Sequence, residues 1–476
     1  MENAGVRSIL RNTAYLMLAR GVTITARAVY ILVIARLLGP ELYGLFNYGL
    51  SWYLLFLPLT ILGIDFVLLR ELGRRDANSL HLLGISLPLR TASTVLVAAS
   101  CLALGWWLET EPLGRTLLFF FSAALVGRGL AAWSEAIFKG REASGFILAQ
   151  ELVFRLLEVS IGLILLAAGF GVEALAAVHA AAWLLQGATG LYLVRRVVQQ
   201  KLRAEWDLAP MARLLLAGLP FLAVAALLAW LMQGPLVLYR HINGVGAGLG
   251  QLALAVQFFT ILGGMASSLG LAAVPVLTRS SERQDGKTSL FVRSVLRAGW
   301  LMAGTLVIGG LTVGPYVING IFGPEFSRVQ ALLPWALLLV GFHFWVTSLR
   351  SVLIAHGQFL QLAMAMAVGA GIFTATFVPL VSCCDLKGAL FATGLGLLSI
   401  FGVQLYLLSK TDSMDLAGSV TAPGAVVLVT ISVTYSLDDI HPVLGLTIGL
   451  SLLWGLALAI GTVPKPNMFR AIRNRN

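Results

Sequence analysis

Seven arginines fall inside stretches otherwise apolar enough to lie in a bilayer: Arg20, Arg27, Arg90, Arg128, Arg155, Arg297 and Arg350. Four carboxylates accompany them, Asp65, Glu135, Glu151 and Glu158. A guanidinium at the centre of a spanning helix costs about 2.5–3.5 kcal/mol on the insertion scale, so such a residue faces a partner or a water-filled cavity. Seven positive groups against four negative ones leave an excess of three if all are ionised. The chain does not neutralise that excess by itself, and an anionic visitor is the expected remedy.

Spacing sharpens the expectation. Arg20 and Arg27 are seven residues apart, nearly two helical turns, which puts them on one face with roughly 10 Å between them. Their own span, read as 13–36, holds no carboxylate. Glu151, Arg155 and Glu158 fall at i, i+4 and i+7 and share one face of a later helix, as do Arg128 and Glu135 on the helix before it. Arg20, Arg27, Arg128, Arg155 and Arg297 are therefore the candidate anion contacts, with Arg297 as the facing wall from the second half. Asp65, Glu135, Glu151 and Glu158 either neutralise neighbouring arginines or accept a coupling ion. Arg90 and Arg350 are expected to snorkel to the cytoplasmic surface, and Asp65 to pair with Arg70. His179 and His343 read as packing residues, and Trp106, Trp107, Trp183 and Trp300 as interfacial or packing aromatics.

The elements that must position these groups are membrane helices. The chain has 476 residues, 58% hydrophobic and 12% charged, about half the charge of a soluble domain at roughly 25%. Apolar windows of about 20 residues predict an all-α polytopic protein with about fourteen spans, at 13–36, 43–69, 83–108, 116–138, 146–170, 174–194, 214–239, 250–276, 290–317, 329–354, 360–381, 388–409, 420–437 and 443–463. The first is read as an uncleaved helix. The organisation expected is an N-terminal lobe over residues 1–194 (helices 1–6), a cytoplasmic linker at 195–213, a second lobe over 214–409 (helices 7–12), and a terminal pair with a basic tail at 410–476. Counting Lys and Arg in alternate loops gives about 21 on the side of the N-terminus and about five on the other. Both termini are thus expected in the cytoplasm.

Several function classes are disfavoured. The net charge of +11 sits beside apolar segments, as loop charges do, and does not point to nucleic acid. Cys101, Cys383 and Cys384 have no metal-ligand spacing, and neither a metal nor a cofactor is expected. Outer loops of about five to ten residues are too short for the acceptor chemistry of a membrane polymerase or glycosyltransferase, and the one acidic pair, Asp438 and Asp439, precedes an otherwise uncharged span. The triplet Gly-Pro-Glu occurs at Gly39 and again at Gly323, after spans that are not equivalent in a six-helix repeat, so no internal repeat is read.

Taken in order, ARLLGPELYG at 35–44, LGIDFVLLRELGRR at 62–75, GLPFLAVAALLAWL at 218–231, INGIFGPEF at 318–326 with the following LLPWALLLV, and LIAHGQ at 353–358 carry a resemblance. The chain resembles the polysaccharide-transporter, O-antigen flippase-like branch of the multidrug/oligosaccharidyl-lipid/polysaccharide (MOP) exporter superfamily. That resemblance implies a two-lobed protein of the prokaryotic cytoplasmic membrane, with no enzymatic step. Relatives move a polyprenyl-diphosphate-linked oligosaccharide between leaflets by alternating access, with membrane lipid and other polysaccharide-assembly proteins as partners. One departure stands out: relatives carry an acidic residue late in the seventh helix, where this chain reads MQGPLVLYRHING with Arg240 as the charged residue. A cation-coupled multidrug exporter of the same superfamily is the alternative, although an exporter of cations favours an acidic cavity. A membrane-embedded polymerase or glycosyltransferase is the third.

Overall fold

The computed structural model describes residues 2–73, 79–199, 202–283, 287–411, 417–436 and 441–463. Asp438, Asp439, Arg74, Arg75, Lys201 and the basic tail beyond Val463 lie outside the described residues.

Among the described residues the chain is helical throughout, without strands. The helices are α1 (Glu2–Ile61), α2 (Ile64–Gly73), α3 (Ser79–Leu108), α4 (Pro112–Gly140), α5 (Gly145–Ala167), α6 (Val172–Val198), α7 (Leu208–Asn243), α8 (Ala247–Arg283), α9 (Lys287–Thr312), α10 (Gly314–Val317), α11 (Arg328–Ala355), α12 (Phe359–Thr411), α13 (Ala417–Tyr435) and α14 (Pro442–Ala459). Ten helices among the described residues are long and apolar enough to cross a membrane. Two of these, α1 and α12, are double: 60 and 53 residues would run to roughly 80–90 Å if straight, against a hydrocarbon core of about 30 Å. Each breaks midway, at Gly39 (φ 69°, ψ 173°) and at Asp385 (φ 49°, ψ −128°). With α5, which is long enough but carries three ionisable groups, and the shorter α13, the fourteen predicted spans are accounted for.

The two Gly-Pro-Glu triplets do the same local work. Gly39 and Gly323 adopt one conformation, φ 69° and 93° with ψ 173° and 171°, a region that glycine enters without a Cβ penalty, and the following proline is preset for the first helical position. The repetition is a turn device, which is why it recurs without an underlying repeat.

One predicted boundary moves. The second span, expected over 43–69, stops at Ile61, and Leu62 (φ 57°) and Gly63 (φ 67°) turn the chain before α2 begins. The cause is a helix crossing: a Cβ on Gly63 would lie 2.2 Å from the carbonyl oxygen of Gly218 on α7.

By contact the chain divides into two compact units, Met1–Arg240 and His241–Asn476, so that nearly all of α7 falls in the first. Within the first unit α4 and α6 touch backbone to backbone, because Gly127 and Gly187 face each other: a Cβ on Gly187 would lie 2.6 Å from the Gly127 carbonyl. A core of Ile64, Leu68, Leu72, Trp133, Ile137 and Phe138 sits beside that crossing. In the second unit Leu301, Ile308, Val426, Val427, Leu453 and Ala457 join α9, α13 and α14. Trp345 of α11 stacks on Phe342 and Phe401 there.

Candidate functional site

The groups singled out in the sequence converge inside the first unit, on the facing sides of α1, α4, α5 and α6. The stripe on α5 is as predicted: Glu151, Arg155 and Glu158 are all buried. Arg155 donates through Nη1 to Glu158, its Nε lies 3.7 Å from Glu151 Oε2, and its Nη2 donates to Gln186 Oε1 at 3.1 Å. Gln186 Nε2 in turn donates to Glu151 Oε1 at 3.1 Å, and the Thr23 hydroxyl of α1 donates to Glu151 Oε2 at 2.7 Å. The second oxygen of Glu158 lies 2.6 Å from His179 Nδ1. Both carboxylates therefore have each oxygen engaged, the condition on which a buried charge is tolerable.

On α4, Arg128 donates to Glu135 Oε1 at 2.6 Å, and Lys139 reaches the other oxygen of Glu135 at 3.4 Å. The two guanidinium groups are drawn together by one ring: Trp183 of α6 has Arg128 4.5 Å and Arg155 4.1 Å from its centroid. A π face attracts each cation, and one ring serves both guanidinium groups. Arg27 of α1 lies within electrostatic range of Glu158, Tyr43 and Tyr53, and Tyr53 within range of Arg128 and Arg155 as well. Arg20 stands two turns earlier on α1 and is exposed.

The remaining candidates lie elsewhere. Arg90 does not snorkel: it is fully buried and donates to Asp65 and, at 3.1 Å, to the Thr60 carbonyl. The turn at Leu62–Gly63 leaves the last carbonyls of α1 without helical partners, and Arg90 and Ser93 (3.0 Å) both bond that of Thr60. Asp65, in the first turn of α2, is thus matched by Arg90, while Arg70 pairs with Glu71 at 2.8 Å. Arg297 belongs to the second unit, where Nη1 donates to the Gly461 carbonyl past the end of α14 at 3.3 Å. Arg350 is in that unit too, half-buried on α11.

Sequence reasoning underweighted α6. His179, Trp183 and Gln186 repeat the i, i+4, i+7 spacing of Glu151, Arg155 and Glu158, and the two stripes bond one another. That matched periodicity was the available signal. Charge balance is also closer than the bare count suggests. Five of the seven arginines and all four carboxylates lie in the first unit, an excess of one, and Arg297 and Arg350 make up the rest. Among the described residues no group of His, Cys, Asp and Glu is arranged to hold a metal ion. The cluster is a network of ion pairs and hydrogen bonds that joins α1, α5 and α6.

Residues 9–281 match the model of a family described as polysaccharide biosynthesis protein. No curated protein matches the chain in sequence. Among solved structures the chain is similar to the lipid II flippase MurJ in an inward closed conformation, with a TM-score of 0.71 and 14% identity over 98% of this chain and 100% of that one. It is also similar to the eukaryotic MATE transporter AtDTX14 (TM-score 0.57, 15% identity, 88% of this chain and 100% of that one). An inward-facing multidrug resistance MATE transporter of the MOP superfamily gives a TM-score of 0.59 at 15% identity, over 81% and 94% of the two chains. The polysaccharide-biosynthesis family expected from the sequence motifs and the polytopic helical fold are both borne out.

Proposed function

Because the chain belongs to the polysaccharide biosynthesis protein family, we propose that it is a flippase for a polyprenyl-diphosphate-linked oligosaccharide, moved from the cytoplasmic to the outer leaflet by alternating access during surface-polysaccharide assembly. The observation that carries the reading is the seating of Arg128 and Arg155 on the Trp183 ring, with Arg27, Arg128 and Arg155 all within electrostatic range of Tyr53. Phosphate oxygens compete with Glu135, Glu151 and Glu158 for guanidinium forks that Trp183 already holds in place, so the cargo displaces ion pairs and never faces bare lipid. Exposed Arg20 offers the first contact, and Arg27 the next, roughly 10 Å further along α1. The hydrocarbon tail stays in the bilayer. With both termini in the cytoplasm, Arg20 lies on the side where such cargo is made. The host membrane is then a prokaryotic inner membrane, the lobes are residues 1–194 and 214–409 joined by the linker at 195–213, and other polysaccharide-assembly proteins are the working partners.

A carboxylate released from its arginine takes up a cation most readily where a second base is at hand. Among Asp65, Glu135, Glu151 and Glu158, the one so placed is Glu158, which contacts both Arg155 and His179. Asp65 is committed to Arg90. The likeness to MATE transporters, together with this carboxylate cluster, favours a cation-coupled drug exporter as the second reading.

Arg27→Ala is expected to lower complementation of a flippase-deficient strain by about tenfold or more, the worth of one charge-assisted contact, at normal membrane levels of the protein. Arg20→Ala gives a smaller loss. Full activity of both variants, or drug resistance conferred on an efflux-deficient strain, rejects the reading.

A further inference from the structure

The second unit contains a cavity of about 730 Å³ where α9 ends, α10 and the π-turn Ile318–Phe322 follow, α11 begins, and α13 and α14 meet. Its size lies within the range of about 300–1,000 Å³ usual for small-molecule sites. Six polar side chains line it, Thr312, Tyr316, Asn319, Gln330, Thr434 and Tyr435, and among the described residues none of those lining it is charged. That composition is unlike the guanidinium cluster of the first unit and does not select an anion.

The hydrogen-bonding inventory is specific. Thr312 and Thr434 donate their hydroxyls back to Ile308 and Thr430 at 2.8 Å each, which leaves both oxygens as acceptors. Gln330 Nε2 donates to Asn319 Oδ1 at 2.7 Å, a bond that uses neither the amide hydrogens of Asn319 nor the carbonyl of Gln330 and so leaves one donor group and one acceptor side by side. Tyr316 and Tyr435 are 61% and 69% exposed, so their ring faces are open to contact. Alternating donors and acceptors match groups that are themselves both, namely hydroxyls, and flat aromatic faces suit the C–H face of a ring. The π-turn that presents Asn319 is a local irregularity of the kind that occurs at functional sites, and Gly320 within it meets nothing within 4 Å of a built Cβ.

We propose that this cavity binds a neutral, hydroxyl-rich ring, a sugar unit of the carried glycan. Naming the glycan as the source rests on the flippase reading; the ligand chemistry does not. In the proposed orientation the ends of α9 and α13 and the starts of α11 and α14 lie at the outer face, where the glycan arrives and the diphosphate contacts are left behind.

The test uses the full-length protein in lipid nanodiscs and three probes: the oligosaccharide released by mild acid from the producing organism's lipid-linked pool, the bare polyprenyl diphosphate, and glycerol. Saturable binding of the oligosaccharide is expected, weakened about tenfold by Asn319→Ala with Gln330→Ala, the cost of two lost hydrogen bonds. Gly320→Leu, which fills the space without a clash at Cβ, should remove it. Binding of the bare diphosphate should be unchanged in both variants. Oligosaccharide binding that both variants leave intact, or none in the parent protein at millimolar concentration, overturns the proposal. Glycerol competing as well as the oligosaccharide assigns the site to a free polyol in place of the cargo and overturns the glycan assignment. A parallel assay of lipid-linked oligosaccharide translocation separates the two readings: sensitive binding without translocation rejects the flippase and keeps the site, and translocation with insensitive binding does the reverse.

Discussion

The two units of the chain bury different kinds of polar group. In Met1–Arg240 the buried set among the described residues includes six charged side chains, Arg90, Glu109, Glu151, Arg155, Glu158 and Arg240; in His241–Asn476 it includes none, only amides, hydroxyls and His343. Several buried hydroxyls of the second unit are satisfied within their own helix, as Thr347, Ser351, Thr393 and Thr430 each donate to the carbonyl four residues back. The charges of the first unit also draw partners from other helices: Glu158 meets His179 of α6, and Arg240 reaches Glu109 at 2.7 Å across 131 residues of sequence. Buried ion pairs are weak contributors to net stability and costly to half-remove, so a unit that keeps six such groups in a membrane keeps them for something other than packing. The contrast fits the proposed division, in which the first unit would meet the anionic part of a cargo and the second its neutral parts.

The largest effect that would test this contrast is at Arg90. Arg90→Ala leaves Asp65 without its cation and the Thr60 carbonyl without one of its donors, and is expected to destabilise the protein by about 3–5 kcal/mol, read as a lowered melting temperature in detergent. Removing Asp65 as well should recover part of that loss. In the second unit Arg297→Ala removes a 3.3 Å bond to Gly461 and should cost only about 1 kcal/mol. Equal losses at the two arginines would erase the distinction between the units.

Much of this was legible in the sequence because it is one-dimensional. The fourteen spans follow from apolar length, the breaks near Gly39 and Asp385 from turn residues between apolar runs, and the α5 stripe from helical periodicity. What the sequence withheld is which stripe meets which. Arg90 and Arg20 look alike at similar depths in apolar helices, yet one is sealed at a backbone break and the other is exposed. The difference arises because the turn at Leu62–Gly63 exists only where α7 crosses it at Gly218, a contact between residues some 150 positions apart. His179 and Trp183 read as packing, and Gln186 drew no reading, for the same reason: their partners lie on α4 and α5, and pairing of α6 with those helices is a tertiary fact.

A middle-sized effect is expected at Trp183, the ring shared by Arg128 and Arg155. Trp183→Leu removes two cation–π contacts, together about 2 kcal/mol, and frees both guanidinium planes. Transport should fall more than thermal stability, while Trp183→Phe keeps most of both. In the second unit Trp345 contacts aromatic rings on α9, α11 and α12, so Trp345→Phe should change stability and leave transport per folded molecule unaltered. A transport defect there would move anion handling out of the first unit alone.

The smallest effect is the most pointed. Gln404 on α12 is fully buried, and among the described residues neither its amide nitrogen nor its amide oxygen has a hydrogen-bond partner. A buried amide in that state costs more than an apolar side chain of similar shape, so Gln404→Leu is expected to raise stability by about 1 kcal/mol and to leave transport unchanged. The same replacement at Gln186, which bridges Arg155 and Glu151, should have the opposite sign, because it strips a donor from one buried charge and an acceptor from another. Melting curves of the two variants decide the matter together with a transport assay. If Gln404→Leu is stable but inactive, the second unit also holds a polar group in reserve for the transport cycle, since an unpartnered amide kept at a stability cost is explained by a partner it meets in another conformation.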